Sequence, residues 1–179
     1  MNGRELLVGV TGGVAAFKTA VLVSRLVQSG AGVTVIMTES ALQFVGPATF
    51  RALTRRPVST EVFGDPGRPL GAHIELAREA QLLCVAPATA NFLAKAAHGV
   101  ADDLLSTLYL SFTGTVILAP AMNTEMWVKP AVQRNVAQLR EDGVLFVGPE
   151  DGWLACRTKG PGRMADVADI IEAVKATLE

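Results

Sequence analysis

The sequence predicts an α/β domain in which a parallel sheet is covered on both faces by helices. Two observations carry that prediction. Short, uninterrupted apolar runs rich in β-branched residues recur along the chain, and segments with apolar residues at helical spacing separate them. Turn-forming residues (Gly, Pro, Thr, Ser and Asn) follow the first four runs, so polar chemistry collects where those strands end. At 179 residues the chain suits one ordinary domain, spanning 1–179, better than two.

Leu6 to Thr11 is the first apolar run. Gly12-Gly13 turns it into a helical segment from Val14 to Gln28, which Ser29-Gly30-Ala31-Gly32 ends with the expected C-terminal glycine. Val33 to Met37 is a β-branched second strand, and Ser40 to Leu53 reads as helix with a break at Gly46-Pro47. Gly64 to Gly71 holds three glycines and two prolines and reads as a loop. Leu82 to Ala86 is a third strand, stopped by Pro87; helices follow over Thr89 to Ala97 and Asp103 to Leu110. Val116 to Ala119, stopped by Pro120, is the fourth strand. A helix over Ala131 to Asp142, a fifth strand over Val144 to Val147 and a last helix over Ala165 to Leu178 complete the set. Between the last two lies Gly148 to Met164, with four glycines and two prolines, expected to be irregular and to act as a lid or binding loop. Strand and helix alternation with right-handed crossovers makes this a doubly wound sheet of Rossmann or flavodoxin type.

Composition narrows the function. Half the residues are apolar and 18% are charged, which excludes a disordered chain. Sixteen basic against seventeen acidic residues, with no long basic run, argue against a nucleic-acid partner. The two cysteines, Cys84 and Cys156, exclude a disulfide scaffold and point to a reducing, cytoplasmic setting. Leu104 to Thr124 is uncharged and long enough to span a bilayer, but its Ser, Thr, Asn, Gly and Pro residues make it a helix end, a turn and a buried strand instead. The N-terminus mimics a signal peptide; Glu5 and three glycines in the short apolar run argue for a buried strand that turns into a helix. No membrane partner is expected.

In a doubly wound sheet ligands sit beyond the C-terminal strand ends. There the sequence places Thr11-Gly12-Gly13-Val14, Thr38-Glu39-Ser40, Pro87-Ala88-Thr89-Ala90-Asn91 and Pro120-Ala121-Met122-Asn123. Glycines let backbone N–H groups approach a phosphate at a helix N-terminus, and Ser40 and Thr89 offer hydroxyls. Taken singly these are ordinary turns and caps; together on one rim they favour a phosphorylated cofactor. A dinucleotide fingerprint would need glycine where Thr11 stands, and no Walker lysine motif exists, so a mononucleotide such as FMN fits better. His73 is a candidate general base or a capping or surface histidine, whereas His98 reads as structural. Cys156, flanked by Arg157 and Lys159, could carry a depressed pKa as proton donor or nucleophile. Cys84 reads as core. Two histidines and scattered cysteines give no metal-ligand spacing.

Six segments then carry a resemblance. These are Thr11 to Lys18 (TGGVAAFK), His73 to Arg78 (HIELAR), Ala86 to Asn91 (APATAN), Ala97 to Leu105 (AHGVADDLL), Pro120 to Trp127 (PAMNTEMW), and Leu154-Ala155-Cys156 with Gly162 to Ala165 (GRMA). In that order the chain, from about Leu6 to its last helix, resembles the flavin-containing cysteine decarboxylases, most of all the branch acting in coenzyme A biosynthesis. The resemblance implies FMN held by Gly12, Gly13, Val14, Thr38, Ser40, Thr89, Ala90 and Asn91. It implies catalytic roles for His73, Asn123 and Cys156. Substrate contacts are implied for Asn123 (carboxylate), Arg78 (phosphate), Met126 and Ala155, with 148–164 closing as a flap that carries Cys156. A homotrimer, sometimes a dodecamer, with FMN between subunits is implied, as is a separate phosphopantothenate–cysteine ligase.

The implied activity is decarboxylation of 4'-phosphopantothenoylcysteine to 4'-phosphopantetheine. Oxidation of the thiol to a thioaldehyde provides the electron sink that a cysteine carboxylate lacks. His73 assists proton removal and CO2 leaves; the enethiolate is then reduced with a proton from Cys156. Two alternatives share the machinery. One is an oxidative decarboxylase of peptide C-terminal cysteines, which stops at the enethiol; the other is a flavin-binding regulatory relative without catalysis. A flavin prenyltransferase of similar fold is disfavoured by the Pro-Ala-Met-Asn and Leu-Ala-Cys motifs. Two residues depart from the family pattern: Arg157, where glycine is frequent, and Glu79, where an aromatic is common.

Overall fold

The computed structural model describes residues 1–63 and 71–179. Five strands form one parallel sheet: β1 Glu5–Val10, β2 Gly32–Met37, β3 Leu82–Ala88, β4 Thr115–Pro120 and β5 Leu145–Phe146, in the order β2-β1-β3-β4-β5. Among the described residues eight helices accompany them: α1 Ala16–Gln28, α2 Pro47–Thr54, α3 Ala72–Glu79, α4 Ala90–His98, α5 Leu104–Ser111, α6 Thr124–Trp127, α7 Pro130–Glu141 and α8 Val167–Leu178. This is the flavodoxin-like doubly wound sheet that the alternation of apolar runs predicts. The loop expected over Gly64 to Gly71 lies, apart from Gly71, outside the described residues.

The strands are legible as apolar runs because both of their faces are covered. Leu6, Val8, Val33, Val35, Cys84 and Ile117 turn towards a core closed by α1, α2 and α8. Their neighbours Leu7, Ile36, Leu83, Val85 and Leu118 turn the other way, under α3, α4, α5 and α7. Neighbouring strands pair in register, Leu6 opposite Val33 and Leu82, so each layer runs across the sheet. Cys84 is fully buried, and desolvation pushes its thiol up to about 12, which makes it an inert core residue.

Several elements depart from the sequence reading, among them α3 and α6, which lie where no helix was assigned. First, β3 continues through Pro87 to Ala88. The register of its pairing with β4 shifts between Val85 and Ala88, so a residue without an N–H is accommodated where the ladder is already irregular. Second, Ser40 to Leu53 breaks at Gly46-Pro47 as expected, with Pro47 opening α2, but the part before the break is a 3-10 turn, Glu39–Gln43, and not an α-helix. Third, the segment expected to be irregular contains an antiparallel hairpin, β6 Glu150–Trp153 with β7 Lys159–Arg163. Its strands are polar and glycine-rich and bury only alternate residues at best, so no apolar run marks them.

Leu104 to Thr124 divides into α5, a turn, β4 and the start of α6, as its polar residues require. Among the described residues no helix is long and apolar enough to cross a membrane.

Candidate active site

The order in which successive strands are added to the sheet reverses between β1 and β3, and a cavity of about 1020 Å³ opens over the strand ends there. Its wall contains the turns after the first four strands, from Thr11–Ala15, Thr38–Ser40, Thr89–Phe92 and Ala121–Asn123. The volume stands at the upper end of the range for small-molecule sites, enough for a cofactor and a substrate side by side.

The first and third turns are tied by one side chain. Buried Thr11 donates from Oγ1 to the Pro87 carbonyl at 2.7 Å and accepts the Thr89 N–H at 3.1 Å. Thr89 in turn caps α4 by accepting the Phe92 N–H. Gly12 lies against the second turn: a Cβ there would fall 2.3 Å from Ser40 Cβ. Thr38 Oγ1 is buried and has no hydrogen-bond partner among the described residues, a cost that a ligand oxygen would remove. Backbone N–H groups, hydroxyls and the start of α4 face the cavity with the donor chemistry a phosphate requires. Exposed Val14, Phe17 and Met126 on the same wall offer apolar surface to a flat aromatic ring. These residues fit FMN.

Asn123 is the N-cap of α6, and its Oδ1 accepts the Met126 N–H at 2.8 Å. That bond fixes which end of the amide is which, so the NH₂ group is the end offered to a ligand. The hairpin docks on this same loop. Met122 donates its N–H to the Gly162 carbonyl at 3.0 Å, and a Cβ on Gly162 (φ +126°) would sit 2.3 Å from the Met122 oxygen. Only glycine permits so close an approach in that conformation.

The hairpin loop brings Ala155 and Cys156 into the cavity wall. Arg157 N–H donates to Leu154 O and Leu154 N–H to Thr158 O, each at 2.9 Å. These bonds make Ala155 and Cys156 the corner of a tight turn, with buried Leu154 as its anchor. Arg157 holds the left-handed position, φ +64°, which glycine usually takes. Cys156 Sγ is 3.0 Å from Thr158 Oγ1. At the hairpin base Glu150 pairs with Arg163 and accepts the Asp166 N–H at the start of α8. The Arg163 guanidinium holds the Glu150 carboxyl below the usual carboxylate range.

A cluster that the sequence reading missed completes the wall: Lys95, Asp102 and Asp103. Lys95 Nζ lies 2.5 Å from Asp102 and 2.7 Å from Asp103. Asp103 also forms a capping box with Ser106 at the start of α5. Burial pushes its carboxyl up, but Lys95 and the Ser106 N–H and hydroxyl outweigh this and hold it below the usual range. Asp-x-x-Ser ahead of an apolar run was the available signal.

Two expected residues stand elsewhere. His73, in the first turn of α3, is not among the residues lining the cavity, and neither is exposed Arg78 in the last turn. The His73 carbonyl accepts Ser111 Oγ at the end of α5, whereas Asp103, just before its start, lines the cavity. Eight residues of helix, about 12 Å, separate the two. His73 Nδ1 is buried without a hydrogen-bond partner among the described residues. Within one chain, Asn123 and Cys156 are brought together on the cavity wall and His73 is not.

The flavoprotein family profile matches residues 1–179. This chain belongs to the flavoprotein family. Over 172 residues this flavoprotein is 47% identical to the coenzyme A biosynthesis bifunctional protein CoaBC of Bacillus subtilis, covering 96% of this chain and 42% of that protein. It is 46% identical over 176 residues to the CoaBC of Mycobacterium tuberculosis, covering 98% and 42% respectively. The flavoprotein therefore spans less than half the length of these curated relatives. Among solved structures it is similar to the FMN-dependent cysteine decarboxylase SpaF, with TM-score 0.85 and 37% identity, covering 98% of this chain and 95% of that one. It is equally similar in fold to a PPC decarboxylase cysteine-to-serine mutant complexed with pantothenoylaminoethenethiol, with TM-score 0.85 and 31% identity, covering 97% of both chains.

Proposed function

We propose that this flavoprotein is an FMN-dependent carboxy-lyase of coenzyme A biosynthesis that converts 4'-phosphopantothenoylcysteine to 4'-phosphopantetheine. The observation that carries the reading is the meeting, on one cavity wall, of a phosphate cradle, the Asn123 amide and the Cys156 thiol. The CoaBC relatives and the PPC decarboxylase complex support the same substrate.

Gly12, Gly13, Val14, Thr38, Ser40, Thr89, Ala90 and Asn91 hold FMN, which supplies reversible two-electron chemistry when bound. The Asn123 NH₂ group binds and orients the substrate carboxylate, with Oδ1 held by the Met126 N–H. Met126 and Ala155 contact the substrate beside it. Once the thiol is oxidised to a thioaldehyde, its C=S group lies β to the carboxylate and takes the electrons as CO2 leaves. Cys156 then gives a proton to the enethiolate carbon during its reduction. A positioned acid or base of this kind is worth about 10²–10⁴ in rate.

His73 assists proton removal, and Arg78 binds the substrate phosphate. Neither reaches the cavity of its own chain, so the reading includes a homotrimer, single or grouped into a dodecamer, with the site between subunits. The exposed apolar side chains of Val14, Phe17 and Val21, at helical spacing from the cavity rim along α1, support such an interface. A cytoplasmic setting accords with two free thiols.

Purified protein should show flavin absorbance and release CO2 from phosphopantothenoylcysteine, but not from a peptide ending in cysteine. Release from the peptide alone would transfer the assignment to the peptidyl branch. A protein that takes up FMN and turns over neither substrate would make it a binding protein.

A further inference from the structure

We propose that Thr158 is a positioning residue for the Cys156 thiol. Three observations on the hairpin loop carry this. Cys156 Sγ lies 3.0 Å from Thr158 Oγ1 in a contact where either atom can donate. The Leu154–Thr158 backbone bond that closes the loop fixes the hydroxyl and the thiol on one turn. Cys156 faces the cavity while Thr158 is absent from its lining, so the hydroxyl approaches the sulfur from outside the ligand space.

A hydroxyl suits this place because its role can reverse. While the thiol is protonated, Oγ1 can accept the S–H. When the S–H bond breaks and the proton moves to the enethiolate carbon, the electron pair stays on sulfur. The hydroxyl then rotates to donate to the thiolate, a charge-assisted bond stronger than the neutral one it replaces. Thr158 thereby favours the product side of the proton transfer, and water returns a proton to sulfur afterwards. Arg157 and Lys159 flank the thiol on the loop, and the charged groups elsewhere on the cavity wall are Lys18, Glu39, Lys95, Asp102, Asp103 and Arg163. None of them is altered by a change at Thr158.

Valine replaces the hydroxyl with a methyl group at nearly constant shape, and serine keeps the hydroxyl. The test is the pH dependence of iodoacetamide alkylation of the full chain, with the modified cysteine located by mass spectrometry. Buried Cys84 serves as the unreactive internal control. Thr158→Val should be alkylated roughly tenfold more slowly than wild type near neutral pH. Thr158→Ser should restore the wild-type profile. Wild-type alkylation by Thr158→Val, or failure of serine to restore the profile, would overturn the inference.

A second readout rests on the decarboxylase reading. In a single turnover with stoichiometric FMN, Thr158→Val should release CO2 at the wild-type rate while the enethiol persists and the two electrons taken from the thiol stay on the flavin. Wild-type protein that releases no CO2 would defeat the functional reading and leave the alkylation result standing. Unchanged CO2 release with no enethiol would defeat the role of Thr158 alone.

Discussion

Gly12 and Ser40 approach so closely that a methyl group on Gly12 would fall 2.3 Å from Ser40 Cβ. This contact joins the turns after β1 and β2, the two ends of the proposed phosphate cradle. Gly12→Ala must therefore push the Ser40 turn away, at a cost of about 1–3 kcal/mol for overpacking. The expected outcome is a folded protein that binds FMN at least tenfold more weakly. Titration of FMN fluorescence together with a thermal melt checks it, and wild-type affinity would remove Gly12 from the cradle.

Asn123 combines two tasks that separate variants can divide. Asn123→Asp keeps an oxygen for the Met126 N–H but replaces the NH₂ donor with a charge that repels a carboxylate. It should fold with wild-type stability and lose decarboxylation by a hundredfold or more. Asn123→Ala loses the cap as well, at about 1 kcal/mol. Chemical denaturation and CO2 release, measured on both variants, separate the roles.

Arg157 holds a left-handed backbone conformation that costs a side chain about 1 kcal/mol relative to glycine. Arg157→Gly should raise the melting temperature by about 2–4 °C and leave CO2 release unchanged. A lower melting temperature would show that the Arg157 side chain contributes more than its backbone costs.

An ion pair outside the site sets a pH dependence of stability. Glu5 pairs with Arg56 through both carboxylate oxygens, and that hydrogen bonding holds the Glu5 carboxyl below its usual range. A lowered folded-state pKa adds stability above the unfolded value, which is lost as pH falls through the folded one. Both side chains are over a third exposed, so solvent screening limits the pair to about 0.2–1 kcal/mol. Glu5→Gln should lose that amount at neutral pH and show a flatter decline below about pH 4. Urea denaturation at pH 7 and pH 3.5 measures both.

How much of this was legible depends on how each feature is stabilised. Leu6 to Val10 and Leu82 to Ala86 announce themselves as strands because every side chain except Gly9 fills one core layer or the other. Thr89 was legible as a turn residue because capping is local in sequence. The hairpin was not: Lys159 to Arg163 hold their place through the Gly162 contact with Met122, a tertiary relation without periodicity. Lys95 was missed for a similar reason, since its partners Asp102 and Asp103 come seven and eight residues later, across a helix end. The motif around His73 could be read, but its place on α3, about 12 Å along α5 from the cavity-lining Asp103, is a matter of packing. Cys156 lay in plain view, whereas its contact with Thr158 depends on a turn that Arg157, not glycine, completes.

The most direct test is the mass of the product formed from phosphopantothenoylcysteine by the purified protein with FMN. The account predicts loss of CO2 alone, giving phosphopantetheine, because Cys156 is present for the final proton transfer. Cys156→Ser should stop one step earlier, at the enethiol, having lost CO2 and two hydrogens. The enethiol as the wild-type product, or no loss of CO2 at all, would contradict it.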